Sequence, residues 1–298
     1  MKRRGWEVQW ANLPGVKRTC FFHAGCPDGF GAAWSLWRAW GVDGRFIPHS
    51  HNDPLDPLDF EGDQVVFVDI APPNETIREF AEVAAEFILL DHHLSARDRY
   101  AADLGLENLL AGSAHTVHFD LDHSGAVLAW KYFHPEEPPP DLLAYVEDQD
   151  LWNWKLARSE EINAAIGSYP REFAVWDDLA SRPIQSLARE GEPIVRANRI
   201  EVTRTLQTAH PVALGTRRVD AVNSPNLRSA LGHELAKRAR FGRPWGLVYR
   251  ISGDRVDATL YSIGDLDVSK LAGEFGGGGH RNAAGFSVSL RRWMDDFA

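Results

Sequence analysis

The sequence contains little cysteine, no excess of positive charge and no long apolar run. Its two cysteines, Cys20 and Cys26, are too few for a disulfide framework and suit a reducing compartment. Its 42 acidic residues outnumber 32 basic ones, for a net charge of -10, which argues against binding along duplex nucleic acid. No stretch could span a membrane, and no apolar signal region follows the basic residues at positions 1–5. We therefore expect a cytoplasmic protein with no membrane and no long duplex partner.

Three short apolar runs each end abruptly in Asp or His. The runs and the polar residues after them are 19–22 before His23, 65–68 before Asp69, and 87–90 before Asp91, His92 and His93. Short apolar runs of this kind are typical of buried strands. Because ligands bind at the carboxyl ends of parallel strands, we expect these polar residues and the nearby Asp28 to converge on one site.

This set of side chains predicts a metal centre. Oxygen and imidazole donors without thiolate pairs favour Mn²⁺ over structural zinc. Several carboxylates in one cleft repel one another unless cations lie between them. We therefore expect two Mn²⁺ ions, with Mg²⁺ or Co²⁺ as substitutes, and a two-metal site suits phosphoryl chemistry.

The order of the motifs resembles that of the DHH-family phosphoesterases that carry a C-terminal DHH-associated domain, in the exopolyphosphatase-related and oligoribonuclease-like branch. The segments that carry the resemblance are 23–31, Asp69, 91–93, Asp148 with Trp152, and Gly276-Gly277-Gly278-Gly279-His280 with 283–286. Together they cover nearly the whole chain. One departure is Cys26, which replaces an aspartate of the family's first motif.

The resemblance implies an α/β fold with two domains. We expect a doubly wound, mainly parallel-sheet DHH domain over residues 1–182 and a helical connector over 183–210. A smaller α+β substrate-binding domain would then cover residues 211–298. The local patterns agree, since strands alternate with helices in the first part.

The resemblance also implies roles for individual residues. The expected metal ligands are His23, Asp28, Asp69, His92 and Asp148, with Asp69 bridging the two ions. His93 would contact the transferred phosphoryl group, and Asp91 would orient the neighbouring histidines. Asp150 is the alternative to Asp148, and Cys26 is either a thiolate ligand or a small buried apolar residue.

Substrate contacts are expected from the second domain. The residues proposed for this role are Gly276, Gly277, Gly278, Gly279, His280, Arg281, Asn223 and Tyr261. A glycine run lets backbone N–H groups approach an anion, although it is also typical of a flexible linker. Tyr261 occupies a segment where relatives carry a phosphate-binding arginine, so it either stacks on a base or is an ordinary strand residue.

Several local elements are predicted from periodicity and capping signals. Helices are expected at 30–40, 74–85 with Asn74 as its cap, 124–133 with Ser124 as its cap, 142–150, 183–208, 227–239 and 268–274. Strands are expected in the second domain at 217–222, 246–251, 256–261 and 285–290. Trp34, Trp37 and Trp40 share one helical face, which favours core packing over base stacking.

These expectations lead to one main hypothesis and two alternatives. The main one is an Mn²⁺-dependent phosphoesterase acting on a small nucleotide or a short single-stranded oligonucleotide. An exopolyphosphatase or nucleotide-bisphosphate phosphatase is the alternative within the same class. A nucleotide-binding regulator that has lost hydrolysis is the alternative outside it, and Cys26 motivates it. The sequence leaves open whether the chain forms a homodimer.

Overall fold

The computed structural model describes residues 15–51 and 53–297, so the basic segment at positions 1–5 lies outside the described residues. The chain divides into two compact units, Met1–Val195 and Arg196–Ala298. This boundary falls within the predicted connector, residues 183–210.

The first unit is built on a five-stranded, fully parallel sheet. Its strands are β1 (Arg18–His23), β2 (Gly44–His49), β3 (Gln64–Val68), β4 (Glu86–Asp91) and β5 (Thr116–Phe119), in the order β2-β1-β3-β4-β5. Its helices are α1 (Pro27–Trp40), α2 (Asn74–Val83), α3 (Leu94–Ala101), α4 (Leu104–Leu110), α5 (Gly125–Phe133), α6 (Asp141–Asp150), α7 (Ser159–Ser168) and α8 (Phe173–Ser181). The predicted parallel-sheet α/β class is confirmed.

Helices cover both faces of this sheet, which explains why its central strands are continuous apolar runs. Phe21 and Phe67 pack with Phe80 of α2 on one face. On the other face, Phe22 packs against Phe30 of α1. The alternation of side chains along β1 therefore supplies both cores.

Most of the predicted helices of this unit are present. Trp34 and Trp40 are buried and Trp37 stacks on Phe173, so their predicted core role is confirmed. Ser124 caps α5 as predicted. The prediction that Asn74 caps α2 is wrong, because Pro73 occupies the cap position. The amide of Asn74 instead donates to the α3 backbone and to a carboxylate oxygen of Asp103, both at 3.1 Å.

A long helix, α9 (Ile184–Thr205), spans the boundary between the two units. The second unit contains the strands β6 (His210–Leu214), β7 (Arg217–Asn223), β8 (Trp245–Ser252), β9 (Arg255–Ser262), β10 (Gly278–His280) and β11 (Ala283–Ser289), in the order β10-β11-β9-β8-β7-β6. Its helices are α10 (Arg228–Arg238), α11 (Val268–Gly273) and α12 (Leu290–Asp296). This mixed sheet confirms the predicted α+β class of the second unit. Across the described part of the chain, no helix is at once long and apolar enough to cross a bilayer.

Candidate metal centre

The strand order of the first unit defines where a ligand would bind. The chain leaves β1 toward β2 on one side, whereas β3 lies on the other side of β1. Ligands in such sheets bind beyond the carboxyl ends of the strands at this switch point. His23 is the last residue of β1, and Asp69 directly follows β3. The sheet therefore brings these two predicted site residues to the same edge.

Asp69 lies at the centre of this edge and is buried. Its Oδ1 lies 3.0 Å from His92 Nε2, and its Oδ2 lies 3.4 Å from His23 Nδ1. Burial alone would raise the pKa of Asp69, but hydrogen bonds with both histidines hold that pKa well below its ordinary value. The backbone of Asp69 has a φ of 59°, and such left-handed residues cost about 1–3 kcal/mol. The fold thus maintains backbone strain at the residue whose carboxylate contacts both histidines.

Asp28 is held by the first turn of α5. Its Oδ2 accepts a hydrogen bond from Gly125 N at 2.7 Å, and its Oδ1 accepts one from Ala126 N at 3.1 Å. A Cβ at Gly125 would lie 2.5 Å from the Cβ of Asp69 and 2.9 Å from Asp28 Oδ2. Only glycine therefore permits this close approach. Burial raises the pKa of Asp28 well above its ordinary value, and the charges of Asp69 and Asp150 raise it further.

His92 joins these carboxylates to a third one, Asp150. Its Nε2 lies 3.6 Å from Asp28 Oδ2 and 3.5 Å from Asp150 Oδ2. Burial acts to lower the pKa of His92, but its hydrogen bond with Asp69 and the nearby carboxylates raise that pKa well above its ordinary value. Burial raises the pKa of Asp150. Its Oδ2 has no hydrogen-bond partner in the part of the chain that the structure describes.

Asp148 serves the following loop instead of this cluster. Its Oδ1 accepts a hydrogen bond from Lys155 N at 2.9 Å, and its Oδ2 accepts one from Leu156 N at 3.2 Å. Residues two apart on a helix face different directions, so α6 can present only one of its two aspartates to the cluster. The sequence favoured Asp148, with Asp150 as the alternative; the structure places Asp150 beside His92, and which of the two binds a metal stays a prediction.

Asp91 lies behind the two histidines of the triplet and is fully buried. Its Oδ1 accepts a hydrogen bond from His92 N at 2.8 Å and lies 2.7 Å from His93 Nδ1. Burial acts to raise the pKa of Asp91, but the charge and hydrogen bond of His93 lower it on balance. An ionised carboxylate can only accept, so Nδ1 of His93 carries a proton. This geometry matches the orienting role predicted for Asp91.

Cys26 brings a sulfur atom to the same cluster. It is the N-cap of α1, and its Sγ accepts a hydrogen bond from Gly29 N at 3.2 Å. The Sγ also lies 3.3 Å from Asp69 Oδ2 and 3.6 Å from His23 Nδ1. Burial raises the pKa of this thiol well above its ordinary value, and the Asp69 charge adds to the effect. The sulfur is therefore among the donors of the cluster, and the thiol is protonated when no cation is bound.

Within the described part of the first unit, two sets of donor atoms are compact enough to hold an ion. In each set the atoms lie within 4.8 Å of one another, and the sets are His23, Asp69 and His93, and Asp28, His92 and Asp150. Carboxylate and imidazole donors without paired thiolates fit Mn²⁺ and similar divalent ions. Three crowded carboxylates, one with a buried oxygen that accepts no hydrogen bond from the described residues, form an arrangement that bound cations would stabilise.

The glycine run of the second unit has a packing explanation. A Cβ at Gly277 would lie 2.0 Å from the carbonyl oxygen of Gly285, and one at Gly279 would lie 2.7 Å from that of Ala283. Gly276 has a φ of 80°, which favours glycine. The short strand β10 therefore needs glycine to approach β11. The predicted anion-binding role of residues 276–279 stays a prediction.

The other residues predicted to contact substrate are spread over the second unit. His280 ends β10, and Tyr261 lies on β9 against α10. Arg281 donates to the backbone carbonyl of Asp265 and forms an ion pair with its carboxylate at 3.2 Å. Asn223 is the exposed last residue of β7. Their substrate contacts also stay predictions.

Sequence reasoning missed three contributors to the sites in the two units. Gly125 follows the capping residue of α5, a position that gives no signal of its contact with Asp28. His51 belongs to no motif, yet its ring lies 6.1 Å from that of His23. Arg228, at the start of α10, donates to Thr259 and belongs to no motif.

Comparisons with known proteins agree with this architecture. No protein-family model matches the chain. An uncharacterized protein of Acanthamoeba polyphaga mimivirus is 28% identical over 294 residues, which cover 90% of this chain and 66% of that protein. Oligoribonuclease NrnB of Bacillus subtilis (strain 168) is 21% identical over 236 residues, which cover 72% of this chain and 56% of that protein. The chain thus spans between 56% and 66% of the length of these relatives.

A solved structure shows the same fold. It is the DHH domain of a member of a family of ribosomal proteins, with a TM-score of 0.55 and 14% sequence identity. The similarity covers 94% of this chain and 84% of that one. The chain therefore has the fold of DHH-domain proteins, and the resemblance carried by its five motifs is confirmed at the level of the fold.

Proposed function

We propose that this protein is a divalent-metal-dependent phosphoesterase that hydrolyses small nucleotides or very short oligonucleotides, with Mn²⁺ as its preferred ion. The observation that supports this most is the contact of Asp28, Asp69 and Asp150 with a single imidazole, His92, at the switch point of the sheet. A buried acidic group of this kind needs cations, and two cations in one cleft suit phosphoryl chemistry. The oligoribonuclease relative supports a nucleotide substrate.

The two donor sets would hold one ion each. Asp69 would contact both ions, since its Oδ1 lies near His92 and its Oδ2 lies near His23. Asp150 takes the position that the sequence assigned to Asp148. When bound, the ions would supply an activated water as the nucleophile and would stabilise negative charge on the phosphoryl oxygens.

The protein's own groups prepare the site for this chemistry. The first turn of α5 holds both oxygens of Asp28, so this carboxylate needs no rearrangement to act as a ligand. Asp91 holds the His93 ring through Nδ1, and the ring held in this way would contact a phosphoryl oxygen, the role predicted for His93. The donor geometry also suits His93 as a ligand beside His23 and Asp69.

Cys26 is the observation that favours a second candidate, a nucleotide-binding regulator with little or no turnover. A protonated thiol is a weak ligand, and this one lies where the family has an aspartate. One of the two ions would then bind weakly, and hydrolysis would be slow. Tight nucleotide binding without metal-dependent turnover would support this candidate over the enzyme.

The deciding experiment is hydrolysis of a small panel in Mn²⁺, with and without chelator. The panel would contain a dinucleotide, a five-nucleotide RNA, 3′-phosphoadenosine 5′-phosphate, a 2′,3′-cyclic mononucleotide and polyphosphate. We expect chelator-sensitive cleavage of the dinucleotide or the short RNA. Cleavage of polyphosphate alone would replace our proposal with the exopolyphosphatase alternative, and no cleavage by metal-loaded protein would contradict an enzymatic role.

A further inference from the structure

Arg228 is a partly buried cation of the second unit that pairs with no carboxylate among the described residues. Its Nη2 donates to Thr259 Oγ1 at 2.5 Å, and its buried Nε has no hydrogen-bond partner in the same part of the chain. Arg217 of this unit, by contrast, is neutralised by two hydrogen bonds with Glu274, of 2.9 and 3.1 Å. Removing a charge from water without a partner is costly. A partner anion from outside the chain would therefore stabilise Arg228.

The surroundings of Arg228 are polar and well ordered by packing. Thr259 and Tyr261 are two residues apart on β9, so they share one face of the sheet. The Tyr261 ring fills the space beside Gly232 of α10, where a Cβ would lie 2.0 Å from the ring. Burial raises the pKa of Tyr261, whereas the Arg228 charge and the side chains of Ser229 and Thr259 act to lower it. Arg228 donates to Thr259, and Tyr261 lies two residues further along the same face of β9, so the two side chains are neighbours.

On β11 and β10, small residues occupy most of the positions next to Thr259 and Tyr261. Thr259 is paired with Gly285, which is paired with Gly278; Tyr261 is paired with Ala283, which is paired with His280. Residues paired across antiparallel strands present their side chains on the same face. Beside Thr259, this face therefore carries only the glycines Gly285 and Gly278, which have no side chain. Beside Tyr261, it carries the methyl group of Ala283 and then His280 on the outer strand β10.

Packing does not require glycine at position 285. A Cβ there would lie 3.4 Å from the carbonyl oxygen of Ala258 and 3.6 Å from Thr259 Oγ1, which are ordinary contacts. A β-branched residue would suit the middle of a strand better than glycine does. The open surface beside the guanidinium is thus a feature that the fold could fill but does not.

We propose that Arg228, Thr259, Tyr261, Gly285 and His280 form a binding site for the phosphate group of a nucleotide, with Arg228 as the residue that selects for phosphate. The guanidinium supplies paired donors to phosphate oxygens. Thr259 holds it in place, and Gly285 provides the space. The inference that the ligand is a nucleotide rests on the proposed function. The inference that the ligand is an anion rests on Arg228 alone.

The test measures binding of 5′-AMP and of adenosine to the full chain in chelator, where no hydrolysis can occur. We expect 5′-AMP to bind more tightly than adenosine, and R228Q to weaken 5′-AMP binding by roughly 10- to 100-fold while adenosine binding is unchanged. R228K, which keeps the charge and loses the paired donors, should fall between. R217Q is the matched control, because it removes an arginine that Glu274 already neutralises, and it should bind both ligands as the wild type does.

G285V provides a second test that does not depend on a charged residue. It should keep or raise the thermal stability and should weaken 5′-AMP binding, since the new side chain fills the open surface. Equal affinity of the wild type for 5′-AMP and adenosine, or unchanged 5′-AMP binding in R228Q, would overturn the site. Because no metal or turnover is involved, a failed hydrolysis panel removes the proposed function and leaves this result standing.

Discussion

The two units differ in the sign of their uncompensated charge and in how they hold it. In the first unit, Asp28, Asp69 and Asp150 crowd around His92, so the cost of the site without a ligand is repulsion. In the second unit, Arg228 is a single cation, so the free-energy cost of its site without a ligand comes from removing one charge from water. Removing one member of the crowded group should stabilise the empty protein, whereas removing the lone cation should change mainly the binding of an anion.

Glycine shows the same contrast between the units. Gly125 must be glycine, since a Cβ would collide with Asp69. Gly285 need not be glycine, since a Cβ there would make ordinary contacts. The first glycine is explained by packing of the acidic site itself. The second is explained by a ligand, and variants at the two positions should therefore behave differently.

The largest effect is expected at Asp69, because the proposed site depends on this carboxylate, which would bridge the two ions. D69N should lower metal-dependent kcat/KM by about 1000-fold, because loss of the bridge removes several kcal/mol of transition-state stabilisation. Asparagine tolerates positive φ well, so the fold should persist at a φ of 59°. The measurement is Mn²⁺-dependent hydrolysis of the preferred panel substrate, with circular dichroism to verify folding. D98N on the exposed surface of α3 is the control, and more than a tenth of the activity in D69N would contradict the scheme.

The sequence predicted well those features that depend on local pattern. The apolar runs before His23, Asp69 and Asp91 identified three parallel strands, because strands buried on both faces are continuous and end abruptly. The polar residues after these runs were expected to lie together, because the carboxyl ends of parallel strands meet at one edge. His23, Asp69 and His92 do lie together there, and their role as metal ligands stays a prediction. Ser124 was recognised as a cap for the same local reason.

Other features depend on contacts far apart in the sequence, and these were missed. Which aspartate of α6 lies beside His92 depends on how α6 packs near the end of β4, and there the structure has Asp150. The role of Gly125 depends on Asp28, which is 97 residues away. In the second unit the strands β6 and β10 were also not predicted; β10 is three residues of glycine and histidine, which carry no strand signal.

The second prediction separates the two aspartates of α6. D150N should weaken Mn²⁺ binding by roughly 100-fold. It should raise the melting temperature of the metal-free protein by about 2–4 °C, because about 1 kcal/mol of repulsion is lost. D148N should do the opposite: it should keep the Mn²⁺ affinity and lower stability, because one of the two backbone N–H groups would then face an NH₂ donor in place of an acceptor. Calorimetry and metal titration of both variants would decide.

The stability gain in D150N should depend on pH. The folded-state pKa of Asp150 is raised, so the metal-free wild type loses stability as pH rises through the interval between the unfolded and folded pKa values. The D150N variant has no ionisable group at this position, so it does not lose stability in this way. The difference in melting temperature should therefore be largest at neutral pH and should vanish toward pH values near the ordinary carboxyl pKa. A difference that grows on acidification would contradict the repulsion account.

The third prediction uses the two glycines. G125A should weaken Mn²⁺ binding by about 10-fold and should lower stability by about 1–3 kcal/mol, because the new Cβ displaces Asp69 or Asp28. G285A should leave Mn²⁺ affinity unchanged and should not lower stability, because its Cβ fits. Metal titration and thermal unfolding of both variants provide the measurement. Equal stability losses would mean that the open surface beside Arg228 is a packing requirement after all.

The smallest effect is expected at Cys26. C26S should weaken the binding of one ion by roughly 10-fold or less, since serine keeps the size and the cap but is a poorer ligand than thiolate. Co²⁺ substitution gives a direct measurement. The wild type should show sulfur-to-cobalt charge-transfer absorption in the near ultraviolet, and C26S should lack it. Absence of this absorption in the wild type would mean that Cys26 is only the cap of α1.

The pH dependence of binding gives an independent check on the same atom. Without a cation the pKa of the Cys26 thiol lies well above its ordinary value, so ligation as thiolate must release one proton at neutral pH. Affinity for that ion should then rise with pH about tenfold more per unit in the wild type than in C26S. Parallel pH profiles would show that the thiol stays protonated. The first unit would then bind one of its two ions with the carboxylate and imidazole donors alone, which is the condition under which the regulator candidate becomes the better account.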